Sequence, residues 1–246
     1  NSLSAQFKIE IEAPATYTPK EVYLYTLSGS KDLLETKEVR KGNTWQINVT
    51  KPYSGMMKLY FPEQNVSINF ISENKDIKLK FDVENSKVTN IQYLDESNFV
   101  MNNLQDVQQK KEFILPALFQ MKEYYKDNSD FGKAIENEIG RLSNNSETSA
   151  KYPFVSFYKT NYAKFLEKSA AKKPVTHKDI IEFLTKSNDF LETSSLMRPI
   201  LVSYLNIGPS TNVSADIDQL LTAVDVETPR GQTVLSELIE IFDLYE

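Results

Sequence analysis

The sequence predicts an α+β protein, an N-terminal antiparallel β-sandwich or barrel followed by an all-α helical region. Three observations carry that prediction. Up to Asp95, apolar side chains recur at every second position, the period of half-buried strands. From Ser97 they recur every third or fourth position, the period of amphipathic helices. Turn residues punctuate the first part and helix caps the second. The expected units are 1–6, a signal-peptide remnant or disordered start; 7–95, an antiparallel β-domain; and 96–246, a helical domain or connector.

In the first part, Phe7, Ile9, Ile11 and Ala13 alternate with Lys8, Glu10 and Glu12. Glu21–Leu27 is β-branched and aromatic and ends at Ser28-Gly29-Ser30, while Leu33–Arg40 alternates more weakly. Lys41-Gly42-Asn43 is a tight turn. Trp45, Ile47 and Val49 then share a face, as do Met57, Leu59 and Phe61 before Pro62. Val66, Ile68 and Phe70, then Ile77, Leu79 and Phe81, then Ile91 and Tyr93 complete seven or eight strands. Each sheet is expected to have one apolar and one solvated face.

In the second part, Asp95 or Ser97 caps a helix with the seam Val100, Leu104, Val107, Ile114, Leu118, Met121 and Tyr125. Pro116 inside it predicts a kink near Glu112–Pro116 or a break into two helices. Phe131, Ile135, Ile139 and Leu142 begin a second helix, which should end in the polar run Ser143–Ser149. Tyr152-Pro153-Phe154 opens a third. After a linker at Lys172-Lys173-Pro174, Thr176 and Asp179 resemble a capping box. Ser194 or Ser195 caps a helix bearing Leu196, Ile200, Leu201, Tyr204 and Leu205, stopped by Gly208-Pro209. Ser214 caps a short helix with Ile217, Leu220, Leu221 and Val224. Thr228-Pro229 opens the last, with Val234, Leu235, Leu238, Ile241, Phe242 and Tyr245 facing inward. That helix reaches Glu246 without a stop signal, so a continuation of the chain is expected.

Composition narrows the functional classes. The chain has 246 residues, 40% apolar and 25% charged, which suits a globular protein. Its net charge is −6. Residues 1–95 hold 12 basic and 12 acidic groups, so the excess lies entirely in residues 96–246, with 16 against 22. An acidic helical part repels phosphate, which disfavours nucleic acid and anionic membranes. No apolar run is long enough for a membrane span. The opening Asn1-Ser2-Leu3-Ser4-Ala5-Gln6 looks like the tail of a secretory signal, with small residues before a cut after Ala5.

Catalytic equipment is sparse. There is no cysteine, which removes thiolate chemistry and Cys-ligated zinc. The single histidine, His177, sits in a polar helix start and reads as an exposed first-turn residue. Gly208-Pro209-Ser210-Thr211-Asn212 lacks the second glycine of a nucleophile elbow. Asp216 and Asp218 lack the glycine and distal glutamate of a calcium loop, and Glu237 and Glu240 read as a solvated helix face. No enzyme activity, cofactor, metal or small-molecule ligand is therefore expected. The densest aromatic face, Phe154, Phe157, Tyr158, Tyr162 and Phe165, reads either as core or as a face that binds a protein partner.

Several segments in order resemble one family, the TlpA-like thiol–disulfide oxidoreductases exported by Gram-negative bacteria. EVYLYTLSGSKDLLETKEVRKGNTWQI, PYSGMMKLYF, INFISENKDIKLKFD and YLDESNF resemble the N-terminal β-domain of unknown function that precedes their thioredoxin-like domain. KYPFVSFYKTNYAKFL, DFLETSSLMRPILVSYLNIG and IDQLLTAVDVETPRGQTVLSELIEIF resemble their helical connector. The resemblance implies a periplasmic or envelope location. It also implies a non-catalytic role, positioning a redox domain or binding a protein client. The alternative is a stand-alone interaction or scaffold subunit of an envelope complex. The thioredoxin domain and its Cys-x-x-Cys pair are absent here, so no redox residue carries over.

Overall fold

The structure, a computed structural model, describes residues 6–85, 87–125, 129–143, 151–167, 174–207 and 213–244. The start 1–5, the polar run from 144 to 149, Lys172-Lys173, the segment 208–212 and the chain end at Tyr245 and Glu246 lie outside the described residues.

Among the described residues eight strands come first: β1 (Phe7–Glu12), β2 (Glu21–Ser28), β3 (Lys31–Val39), β4 (Thr44–Val49), β5 (Ser54–Phe61), β6 (Val66–Glu73), β7 (Ile77–Glu84) and β8 (Lys87–Tyr93). They form two four-stranded sheets, β4-β1-β7-β8 and β3-β2-β5-β6. The architecture is α+β with a sandwich, because the inner faces of both sheets share one core. Phe7, Ile9, Ile11, Trp45, Ile47, Leu79 and Phe81 come from the first sheet, and Val22, Leu24, Leu59, Phe61 and Ile68 from the second. Tyr17 stands edge-on to Trp45, Phe61 and Phe81 with ring centroids 6.1, 5.5 and 5.0 Å away. Trp45 Nε1 donates to the Lys20 carbonyl at 3.0 Å, so its one polar atom is satisfied inside the core.

The sheets are antiparallel at every pairing but one: β1 runs parallel to β7, with Ile9 opposite Ile77 and Ile11 opposite Leu79. Alternation reports which face a side chain takes and carries no information on strand direction. Two edge strands also depart from the expectation. Leu33 and Leu34 of β3 are exposed, and so is Ile91 of β8. An edge strand has a neighbour on one side only, so its outer rows are left uncovered.

Seven helices follow among the described residues: α1 (Glu96–Tyr124), α2 (Asp130–Ser143), α3 (Pro153–Phe165), α4 (His177–Lys186), α5 (Met197–Leu205), α6 (Val213–Val224) and α7 (Pro229–Asp243). Several sequence signals act as expected. Asp95 caps α1 by accepting from Asn98 N–H at 2.9 Å. Thr176 and Asp179 form the full capping box of α4. Thr228 caps α7 and accepts from Gly231 N–H at 3.0 Å. The cap of α5 is instead Leu196, with no side-chain cap bond.

Pro116 lies inside one continuous helix, so the expected break into two helices does not occur. Of the expected α1 seam, Val100, Leu104, Val107 and Leu118 are half-buried, while Ile114, Met121 and Tyr125 are exposed. Met101 and Gln108 are buried, Leu115 is half-buried and Phe113 is exposed. Lys111 is buried beside an acidic partner, while Lys122 is half-exposed. Lys111 pairs with Glu167 at 3.3 Å, and Lys122 pairs with Glu136 of α2 at 2.6 Å. A count that equates apolar with inward cannot see such long side chains. In α7, Phe242 likewise points outward, and the buried row is Val234, Glu237, Leu238 and Ile241.

Candidate functional site

The helices meet the β3-β2-β5-β6 sheet along β6, at the β2–β3 turn and at the start of β5. Ile71 of β6 points away from the sandwich core and joins the helical core with Met101, Phe154 and Tyr204. Three sets of polar contacts fasten this seam.

The first lies at the β2–β3 turn. Gly29 N–H donates to the Glu192 carbonyl at 2.7 Å, and Ser30 N–H donates to Glu237 Oε1 at 2.6 Å. Arg198 of α5 donates from Nε to Glu237 Oε2 at 2.8 Å and from Nη2 to Ser30 Oγ at 2.7 Å and to Glu240. Lys31 reaches Glu240 Oε1 at 3.4 Å. Glu237 is only 2% exposed, so it is a buried ion-pair partner and not part of a solvated face. The Arg198 guanidinium holds the Glu240 carboxyl below its ordinary range. Gly29 has φ +65°, and a Cβ there would stand 2.7 Å from Glu237 Oε1. Only glycine lets the turn approach this closely.

The second set is at the start of β5. Met56 N–H donates to the Thr193 carbonyl at 2.8 Å, and Thr193 Oγ1 donates to the Ser54 carbonyl at 2.9 Å. The third is at the end of β6. Asn98 of α1 is buried and pairs with both backbone groups of Ile71, at 2.6 and 2.8 Å. Glu73 Oε1 accepts from Phe154 N–H at 2.9 Å and Val155 N–H at 3.2 Å. Tyr152, the N-cap of α3, makes no side-chain cap bond, so a strand residue caps this helix from across the seam. Burial pushes the Glu73 carboxyl up, and the two amide donors pull it partly back.

Between these fastenings the seam leaves a crevice of about 270 Å³. Asp32, Met56, Lys58, Asn69, Gln105 and Tyr158 line it, from β3, β5, β6, α1 and α3. Asp32 and Lys58 are ion-paired at its edge. Tyr158 bonds to Gln105, and burial raises its phenol. Ser195, with φ +58°, donates from Oγ to Met56 Sδ at 3.1 Å.

The aromatic face of α3 is placed mainly in the helical core. Phe154, Tyr158 and Phe165 are buried; Phe157 and Tyr162 are partly so. Phe154 meets Phe190 at 5.6 Å, Phe157 stacks on Phe183 at 6.2 Å, and Phe165 meets Phe183 at 4.5 Å. Of the five, Tyr158 alone lines the crevice. His177 is not the exposed residue expected. Its Nε2 lies 3.0 Å from the Tyr204 carbonyl, and its ring packs 4.5 Å from that of Tyr204, so it ties α4 to α5. Asp216 Oδ1 stands 4.0 Å from its Nδ1.

Among the described residues no three His, Asp or Glu side chains gather in a way that could hold a metal ion. No helix in the described residues is long and apolar enough to cross a membrane. Pattern reading missed the seam residues because each is ordinary in its own segment. The one sequence signal was Ser28-Gly29-Ser30, a glycine turn flanked by two hydroxyls. A scan against models of protein families and a search of curated proteins both return no match to this chain.

Proposed function

We propose that this chain is a non-catalytic front region of an exported thioredoxin-like protein, which positions a redox domain or binds a protein client in the periplasm. The observation that carries this reading is the seam. The sandwich and the helices are fastened into one unit by buried, directional contacts, with Arg198–Glu237 and Asn98–Ile71 at their centre. Such a unit suits holding and presenting, because a fixed geometry loses little entropy when a partner docks. The absence of cysteine leaves thiol chemistry to another polypeptide segment or partner. The test is to read the gene past the codon for Glu246 and to fractionate the native host. A Cys-x-x-Cys domain in the same reading frame and periplasmic recovery are the expected results. An immediate stop codon sinks the front-region form, and cytoplasmic recovery sinks export.

A second reading is a stand-alone interaction or scaffold subunit of an envelope complex. It is favoured by the aromatic side chains exposed along α1 and α2, with Tyr124 84% and Phe113 73% exposed. Large exposed apolar groups in one region mark interaction surfaces. Native co-purification tests it. Elution of the native protein as a lone monomer goes against it.

A further inference from the structure

Resting on the client-binding reading above, we propose that the crevice between β5–β6 and α1 anchors one aromatic side chain, Tyr or Phe, of an extended, uncharged peptide segment. Size is the first argument. At about 270 Å³ the crevice falls just below the roughly 300–1,000 Å³ of ordinary small-molecule sites, so it suits a single ring. Lining chemistry is the second. Met56 and Leu27 give it an apolar floor, and it continues past Met56 toward Met101 in a narrower recess. Thioethers adapt to a ring's shape and make favourable sulfur–aromatic contacts.

The rim supplies the third argument. Asn69, Asn102 and Gln105 are exposed there. A carboxamide both donates and accepts, which matches the N–H and C=O of a peptide unit on either side of an anchored residue. Charge is the fourth. Asp32 and Lys58 neutralise each other, so nothing at the edge offsets the desolvation of a charged side chain. Finally, the walls belong to elements fastened at Thr193, Asn98 and Glu73, so the crevice is formed before any ligand arrives.

Methionine methyl NMR tests this directly, because the chain has only five methionines. The 246-residue protein, ¹³C-methyl-labelled at Met, is titrated with the tripeptide Ac-Gly-Tyr-Gly-NH₂, and Met56 is assigned with Met56→Leu. The ring current should move the Met56 methyl signal saturably, with Met121 and Met197 stationary. Ac-Gly-Ala-Gly-NH₂ should move none of them. Gln105→Trp, which plugs the crevice from α1, should weaken binding at least ~10-fold. Asn69→Trp, which closes it from β6, should do the same and stands in if the first variant disturbs the reference signals. The proposal is overturned if Tyr and Phe peptides leave Met56 unmoved, if the Ala peptide acts equally, or if the shift survives both plugs. Such a failure leaves the front-region reading standing, since that reading depends on the gene and the cell fraction.

Discussion

The two halves of α1 share one helix and lead different lives. From Glu96 to Lys111 the helix packs beside β6, β8 and α3, with Ser97, Asn98, Met101, Gln108 and Lys111 buried. From Glu112 to Tyr124 it packs along α2 and exposes Phe113, Phe119 and Tyr124. The buried half is the more polar one. Burial here follows position and partners, because Asn98 and Lys111 find hydrogen-bond or ionic partners, while Phe113 stays 73% exposed among the described residues. The first half builds the crevice wall, and the second leaves an aromatic surface exposed.

Breaking the seam should have the largest effect. Arg198→Ala strands the buried Glu237 carboxylate and is expected to cost about 3 kcal/mol, the low end for breaking a buried pair because Arg198 is 29% exposed. Urea denaturation measures it. Glu240, held low by Arg198, contributes stability that is present above the ordinary carboxyl pKa and lost as pH falls through the lowered value. That part of the acid dependence should disappear in the variant. A loss under about 0.5 kcal/mol would mean the ion pair is dispensable to the seam.

Asn98→Ala comes next. It orphans both backbone groups of Ile71 at a buried site and should cost about 2 kcal/mol. Amide exchange at Ile71 should accelerate with it, and unchanged exchange there would contradict the role.

Glu73 sharpens the comparison through pH. Burial raises its carboxyl, so its favourable contribution is complete below the unfolded pKa and is lost as pH rises through the folded one. Glu73→Gln keeps an acceptor for Phe154 and Val155 without the charge. It should therefore equal or exceed the wild type at pH 7 by up to about 1 kcal/mol, with the advantage shrinking toward pH ~4. An advantage that grows on acidification would reverse the sign. The smallest effects belong to the outer half of α1. Phe113→Ala and Tyr124→Ala should change stability by less than about 0.5 kcal/mol. Either one costing as much as Asn98→Ala would show that this surface is covered in solution.

The sandwich was legible in the sequence at nearly every strand. Phe7, Ile9 and Ile11, Trp45, Ile47 and Val49, and Met57, Leu59 and Phe61 alternate and are buried. Period two works there because one core takes every inward residue. Caps were legible for the same local reason: Asp95, Thr176 and Thr228 bond within their own segments. The candidate site was not. Glu73 caps a helix 81 residues away, and Ser30 meets Glu237 across 207 residues.

The sequence by itself determined most strands, the helix periods, the caps at Asp95, Thr176 and Thr228 and the absence of cysteine from these 246 residues, because each depends on neighbouring residues or on composition. Tertiary structure alone decided the parallel pairing of β1 with β7, the docking of helices along β6, the burial of Glu237 and the crevice. These follow from which elements meet. A carboxylate reads as solvated until an arginine from another helix closes over it.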